Sequence, residues 1–200
     1  MRVYRYNVGV RLFYAAYLSP ENMRAYQDLV DRLIDDVPGV LRSIPPKSHH
    51  LTLAFLGEIR DDEVDKCATA LQSVERVKTF PISLSHPRIL KGRGRPRLMC
   101  VDVNDGKGKV SDVQATLIAH LTKGLPSLDL RSKPPHVTLA RFSRKARARQ
   151  ARLVEEATAK RLEAAPPWGD QVDSVQLVRS SLTPTGPIYE TVAEADLRPS

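Results

Sequence analysis

The chain has 200 residues, of which 42% are hydrophobic and 27% charged, and a formal net charge of +8. That length suits one domain, or two small lobes sharing a core, and needs no covalent staple. No apolar run approaches a membrane span, the N-terminus lacks a signal-peptide core, and Cys67 and Cys100 form no CxxC pattern. The expectation is a cytoplasmic protein with an anionic partner, two buried thiols, and neither a disulfide framework nor a zinc site.

In chain order, Val8 to Leu18 predicts a first strand centred on Arg11-Leu12-Phe13-Tyr14-Ala15. Ser19 then serves as N-cap, with Pro20 at the first helical position and Glu21 at the positive end of the dipole. Met23, Tyr26, Val30, Leu33 and Val37 fall at helical spacing before Pro38-Gly39 ends the segment. Leu51 to Leu56 predicts a strand. Asp61-Asp62-Glu63 opens a second helix with Val64, Cys67, Leu71 and Val74 on its apolar side. Phe80 to Leu90 and Arg97 to Val103 predict two strands joined by the basic loop Lys91 to Pro96.

Lys109 to Leu121 predicts a helix, Pro135 to Phe142 a strand, and Arg144 to Leu162 a basic helix closed by Pro166-Pro167. Val172 to Ser181 and Pro187 to Val192 predict a final strand pair across Thr183-Pro184-Thr185-Gly186. The alternation suggests a duplicated α+β unit, and its hairpins argue against a doubly wound parallel sheet.

One pattern occurs twice: His50-Leu51-Thr52 and His136-Val137-Thr138, each running into an apolar strand. In an extended chain, residues i and i+2 share a face, so each copy presents one imidazole and one hydroxyl together. Histidine takes and gives protons near neutral pH. Two of them can supply the base and the acid that phosphodiester hydrolysis needs, while two threonine hydroxyls donate to the non-bridging oxygens. No HxH, HExxH or GxSxG pattern supports metal or serine-nucleophile chemistry. His49 falls on the opposite face by alternation and is excluded; His86 and His120 are read as ordinary histidines. Structural histidines in two strands are the competing explanation.

The segment His50-Leu51-Thr52-Leu53-Ala54-Phe55-Leu56-Gly57-Glu58, with His136-Val137-Thr138-Leu139-Ala140-Arg141, resembles the 2H phosphoesterase superfamily. Within it, the match is to the bacterial and archaeal RNA 2′,3′-cyclic phosphodiesterases, long called 2′-5′ RNA ligases. It extends to Arg11-Leu12-Phe13-Tyr14-Ala15, Arg93-Gly94-Arg95-Pro96-Arg97, Leu177-Val178-Arg179-Ser180-Ser181-Leu182 and Gly186-Pro187-Ile188-Tyr189. The resemblance implies an α+β, bilobal duplicated fold, a single domain of two pseudo-symmetric lobes with antiparallel sheets flanking a central cleft. It implies opening of an RNA 2′,3′-cyclic phosphate to a 2′-phosphate, without metal or other cofactor, by a monomer. It makes His50 the proton donor and His136 the acceptor, and places Thr52, Thr138 and Arg141 on the phosphate.

Tyr14 and Phe55 resemble positions that can stack on a nucleobase, with core packing as the competing role. Phe55 needs a local twist to leave the face opposite His50. Ile44 stands where the family often has an aromatic residue, and His49 where it has Asn, which touches base contacts rather than the catalytic pairs. The basic stretch Arg144, Lys145, Arg147, Arg149 and Arg152 either tracks an RNA backbone or is a solvated helix face. The neighbouring activities use the same residues: 2′-5′ RNA ligation, or hydrolysis of 2′-5′-linked or small cyclic nucleotides. A non-catalytic RNA- or nucleotide-binding module would not require two proton-transfer groups.

Overall fold

The computed structural model describes residues 9–45, 48–125, 130, 134–162, 168–184 and 186–199. Strand β1 (Val10–Tyr17) leads into helix α1 (Pro20–Asp36), whose first turn is capped by Ser19 Oγ accepting from the Asn22 amide at 3.3 Å. A short strand β2 (Leu41–Ser43) precedes β3 (His50–Ile59). A 3-10 turn (Asp61–Glu63), helix α2 (Val64–Ala70) and a second 3-10 turn (Leu71–Val74) follow. Next come β4 (Phe80–Ser83), β5 (Arg88–Gly92), β6 (Arg95–Asp102) and helix α3 (Lys107–Gly124). Strand β7 (His136–Phe142), helix α4 (Ala148–Leu162) and strands β8 (Gly169–Val172), β9 (Ser174–Thr183) and β10 (Gly186–Asp196) complete the order.

The α+β class holds. Eight strands form one antiparallel sheet in the order β10-β9-β1-β3-β7-β6-β5, with β2 added beside β7, and β4 pairs separately with β8. Among the described residues, the two halves of the large sheet meet only between β3 and β7, where the ladder is one pair, Leu51 opposite Val137. Helix α1 follows β1 yet packs on β2, β7 and α4, and α3 follows β6 yet packs on β3 and α2. Each half thus lends a helix to the other, and the helices cover one face of the sheet. The core between them includes Leu33, Leu53, Val101, Leu117, Leu139 and Val154. The opposite face is left open for a cleft.

The predicted strand from Phe80 to Leu90 is two strands with different partners. Pro87 has no amide hydrogen to donate to a ladder, so the chain bends between β4 and β5. The loop at Lys91 to Pro96 is tighter than expected, since Gly92 pairs with Arg95 and leaves Arg93 and Gly94 as a two-residue turn. Both have positive φ, 50° and 76°, as a type I′ hairpin turn demands. Helix α4 begins at Ala148 rather than Arg144. The short strands β2 and β8 carried too few residues to show a period. Val8, Thr185 and Pro166-Pro167 lie outside the described residues. Cys67 and Cys100 are free, buried thiols. Among the described residues no helix is long and apolar enough to cross a membrane.

Two slips in the β1–β3 ladder shape the first motif strand. Ala15 faces Thr52 while Tyr14 faces Ala54, so Leu53 is an extra residue; Leu12 faces Gly57 while Phe13 faces Phe55, so Leu56 is another. Each is a bulge that flips the side-chain alternation beyond it. Gly57 sits beside the second with φ of 77° and open space around its missing Cβ. Gly57→Ala is therefore expected to destabilise the fold through backbone strain alone, by about 1–2 kcal/mol, as measured by the denaturant midpoint; an unchanged midpoint would show that the left-handed backbone carries no strain.

Candidate active site

The antiparallel pairing of Leu51 with Val137 places His50 across from Thr138 and Thr52 across from His136, all on the open face. All four are half-buried, while Leu51 and Val137 between them point into the core. The two His-x-Thr copies thus lie back to back about one pseudo-two-fold point at the middle of the sheet. Fully buried His49 points the other way, as alternation predicts.

Each motif strand then has a bulge one residue after its threonine. In β7, Cys100 faces Thr138 and Met99 faces Ala140, which makes Leu139 the extra residue, as Leu53 is in β3. Leu53-Ala54 and Leu139-Ala140 are both buried pairs. The bulges return Phe55 and Arg141, each three residues past its threonine, to the face of the motifs. This supplies the twist that Phe55 needed. Its exposed ring lies under the Arg11 guanidinium, 4.7 Å from the centroid, a cation–π contact. Tyr14 is not brought to the cleft: it is fully buried on the core face, and its hydroxyl donates to the Cys67 carbonyl at 2.6 Å. Its place in β1 has the wrong parity for stacking on a base.

Residues of β1 and β10 that the sequence did not single out surround His50. Phe13 stacks on it at 4.9 Å, Tyr17 lies at 5.5 Å, and Tyr189 meets it edge-on at 5.3 Å. Tyr17 is the direct cross-strand partner of His50. Burial raises the phenol pKa of Tyr17 to about 12 and raises that of Tyr189, so both remain protonated. Arg141 and Arg11 both oppose the rise at Tyr189, which places their charges near its ring. The parity of β1, with Arg11, Phe13, Ala15 and Tyr17 on one side, was a usable signal for this cluster. Which side faced the motifs required the register with β3.

His50 loses its charge in this setting. Burial lowers its pKa to about 4; the Ser48 backbone opposes the shift, while His49 and His136 add to it. The ring's Nδ1 is sealed from solvent without a partner in hydrogen-bonding geometry, although the residue as a whole is only half-buried.

His136 differs. Its Nδ1 lies 3.0 Å from the Pro134 carbonyl, which can only accept, so Nδ1 carries the hydrogen and Nε2 keeps a lone pair in the neutral ring. Asp102 is its cross-strand partner. That carboxylate is gripped on both oxygens by the Arg88 fork, one bond being 2.8 Å. Arg88 chiefly, and His136 in part, hold the Asp102 carboxyl below the usual carboxylate range.

Helix α4 lies against β5, β6 and α1, on the covered side of the sheet. The Arg147 guanidinium folds back onto its own turn, donating to the Lys145 carbonyl at 2.8 Å and the Ala146 carbonyl at 3.1 Å. Arg144, Lys145, Arg147, Arg149 and Arg152 are all exposed. A cavity of about 400 Å³ beside it, lined by Ile89, Met99 and Leu162 among others, includes none of the four motif side chains. The motifs occupy an open trough. Among the described residues no three His, Cys, Asp or Glu side chains gather as a metal site.

The model of the 2′-5′ RNA ligase superfamily matches residues 42–183. The RNA 2′,3′-cyclic phosphodiesterase of Thermus thermophilus is 31% identical over 94% of this chain and 91% of its own length. Its counterpart in Aquifex aeolicus is 28% identical over 76% and 79%. Among solved structures, TT0787 of Thermus thermophilus aligns with a TM-score of 0.72 at 28% identity, covering 95% of this chain and 99% of that one. Escherichia coli LigT complexed with 3′-AMP aligns at 0.67 and 21% identity over 95% and 99%, a likeness of fold.

Burial that disfavours the charged ring makes the acid side of the titration informative. The unfolded chain protonates His50 near its ordinary pKa and the folded chain only near 4. Stability from the neutral ring is thus present above the ordinary histidine pKa and lost as pH falls through that window. In NMR titrations the His50 ring protons should shift with a midpoint of about 4, and saturating inorganic phosphate should move that midpoint upward. A midpoint at the ordinary histidine value would refute the sealed environment.

Proposed function

The chain belongs to the 2′-5′ RNA ligase superfamily, and we propose that it opens 2′,3′-cyclic phosphates at RNA ends, or in small cyclic nucleotides, to 2′-phosphates without a metal. The observation that carries this reading is the back-to-back placement of His50-Thr52 and Thr138-His136 on one open face. Relatives named for this activity support it. We further read the chain as one cytoplasmic, monomeric domain of two lobes.

The chemistry follows from what the four groups can do. His136, with its Nδ1 hydrogen held by the Pro134 carbonyl, takes a proton from water at Nε2. The resulting nucleophile forms a new P–O bond opposite the 3′ oxygen. The P–O3′ bond breaks, and His50 gives its proton to the departing 3′ oxygen, leaving a 3′ hydroxyl and a 2′-phosphate. Solvent returns His50 and His136 to their starting protonation. Thr52 and Thr138 donate to the non-bridging oxygens, where hydrogen bonds gain most as charge builds in the transition state. Arg141, on the same face, adds a fork of donors for a phosphate oxygen.

For His50 to act as the acid it must hold a proton that burial disfavours in the free protein. An anionic phosphate against the ring offsets that penalty, so the acid is charged as substrate binds. The lowered pKa favours a second reading with the roles exchanged: His50 as base, and His136, in the field of Asp102, as acid.

Each of His50→Ala and His136→Ala should slow hydrolysis of an RNA ending in a 2′,3′-cyclic phosphate by roughly a hundred- to ten-thousand-fold, and EDTA should leave the wild-type rate unchanged. An aryl phosphodiester, whose leaving group needs no proton, separates the roles: the variant lacking the acid retains activity on it. Retention by His50→Ala supports the first assignment, and retention by His136→Ala the exchanged one. Full activity of either variant on the RNA substrate would overturn the two-histidine mechanism, and EDTA sensitivity would overturn metal independence.

A further inference from the structure

The two walls of the trough differ in chemistry. On the His50 side stand Phe13, Tyr17, Phe55 and Tyr189. Beyond the Thr138–His50 pair, β2 takes over from β3 along the same edge of β7 and sets Arg42 directly across from Arg141. Direct antiparallel partners project from the same face, so the bulge that returns Arg141 to the motif face brings Arg42 with it. Among the described residues neither arginine has a carboxylate partner. Arg42 is exposed and Arg141 half-buried. Like charges directly opposite each other across two strands repel, and among the described residues no carboxylate pairs with either. An anion would.

We propose that Arg42 and Arg141 form a second phosphate subsite, which takes the phosphodiester next to the terminal nucleotide of an RNA. The proposal rests on the reading of the trough as a cyclic-phosphate site. A 2′,3′-cyclic phosphate occupies the 3′ end of a strand, so every other phosphate of the substrate lies on its 5′ side. Once the Leu139 bulge absorbs one residue, Arg141 stands two strand steps beyond Thr138, about 7 Å, on the order of one nucleotide. Arg42 stands level with Arg141 in β2, along the edge of β7 that β3 also joins. The terminal phosphate sits between the histidines and takes one arm of the Arg141 fork, and the next one meets the other arm and Arg42. The guanidinium fork matches a phosphodiester's two free oxygens, where a lysine would offer only a point charge. Arg42 is therefore a specificity residue that distinguishes an RNA chain from a cyclic mononucleotide.

The test compares kcat/KM for a trinucleotide ending in a 2′,3′-cyclic phosphate with kcat/KM for a 2′,3′-cyclic mononucleotide, in wild type and Arg42→Gln. The oligonucleotide-to-mononucleotide ratio should fall about tenfold in the variant. The slope of log kcat/KM for the trinucleotide against log salt should become shallower by about one. Arg42→Lys should restore the salt slope but only part of the ratio. Because the substitution removes a repulsion, the thermal midpoint of Arg42→Gln should equal or exceed that of wild type, which excludes misfolding as the cause. An unchanged ratio, whether both substrates lose activity equally or neither does, overturns the subsite. Wild type that hydrolyses neither substrate overturns the proposed function instead.

Discussion

Everything at the site depends on one cross-strand pair. Leu51 and Val137 join the two halves of the large sheet, and both side chains are buried in the common core. Because they are the middle residues of the two His-x-Thr copies, fixing them fixes the four chemical side chains on the opposite face. A slip of one residue at this junction would send the imidazoles and hydroxyls into the core and the leucine and valine into solvent. Burying two aliphatic side chains is thus what holds the histidines in register. The exchange of α1 and α3 between the halves reinforces it, since each helix packs on a strand of the half that it did not come from.

The bulges at Leu53 and Leu139 add a second layer of control. Without them, strict alternation would bury Phe55 and Arg141, an unfavourable place for an unpaired guanidinium. With them, each motif gains a third side chain on its own face, aromatic in one copy and cationic in the other. The pseudo-symmetry of the backbone therefore carries an asymmetric chemistry. His50 rests among rings that keep it neutral, whereas His136 has a carbonyl on Nδ1 and a carboxylate across the strand. Two histidines that the sequence pattern cannot distinguish are made different by their neighbours.

Much of this was legible in the residues. Strong periodicity located β1, α1, β7 and α3, and the repeated His-x-Thr named the four central groups with the correct faces, including the exclusion of His49. What failed did so for physical reasons. The stretch from Phe80 to Leu90 looked continuous because propensity is local, while strand partners are chosen by tertiary contact. Tyr14 was taken for a cleft residue because side-chain type does not reveal parity. Only the pairing of Tyr17 with His50 shows that the odd-numbered members of β1 line the trough. Arg42 lay in a three-residue strand too short to show any pattern, and Asp102 drew no notice because its role depends on a partner thirty-four positions away.

The difference between the walls also bears on substrate direction. A nucleotide ending in a cyclic phosphate has an apolar base on one side of the phosphorus and, in RNA, a charged chain on the other. The trough has rings beside His50 and, beyond Thr138, two arginines without a carboxylate partner among the described residues. In the matching orientation, base and chain each meet the wall that suits them. In the reversed orientation, a phosphodiester would lie against the rings of Phe13 and Tyr189, where Arg11 is already engaged over Phe55 and Arg141 stands only at the margin, while the base would cover two repelling guanidinium groups. Desolvating an unpaired charge costs more than a misplaced ring contact gains, so the walls oppose the reversed pose more strongly than they reward the matching one. The chemical asymmetry of the neighbours, laid over two matching His-x-Thr strands, makes the two ends of the site different.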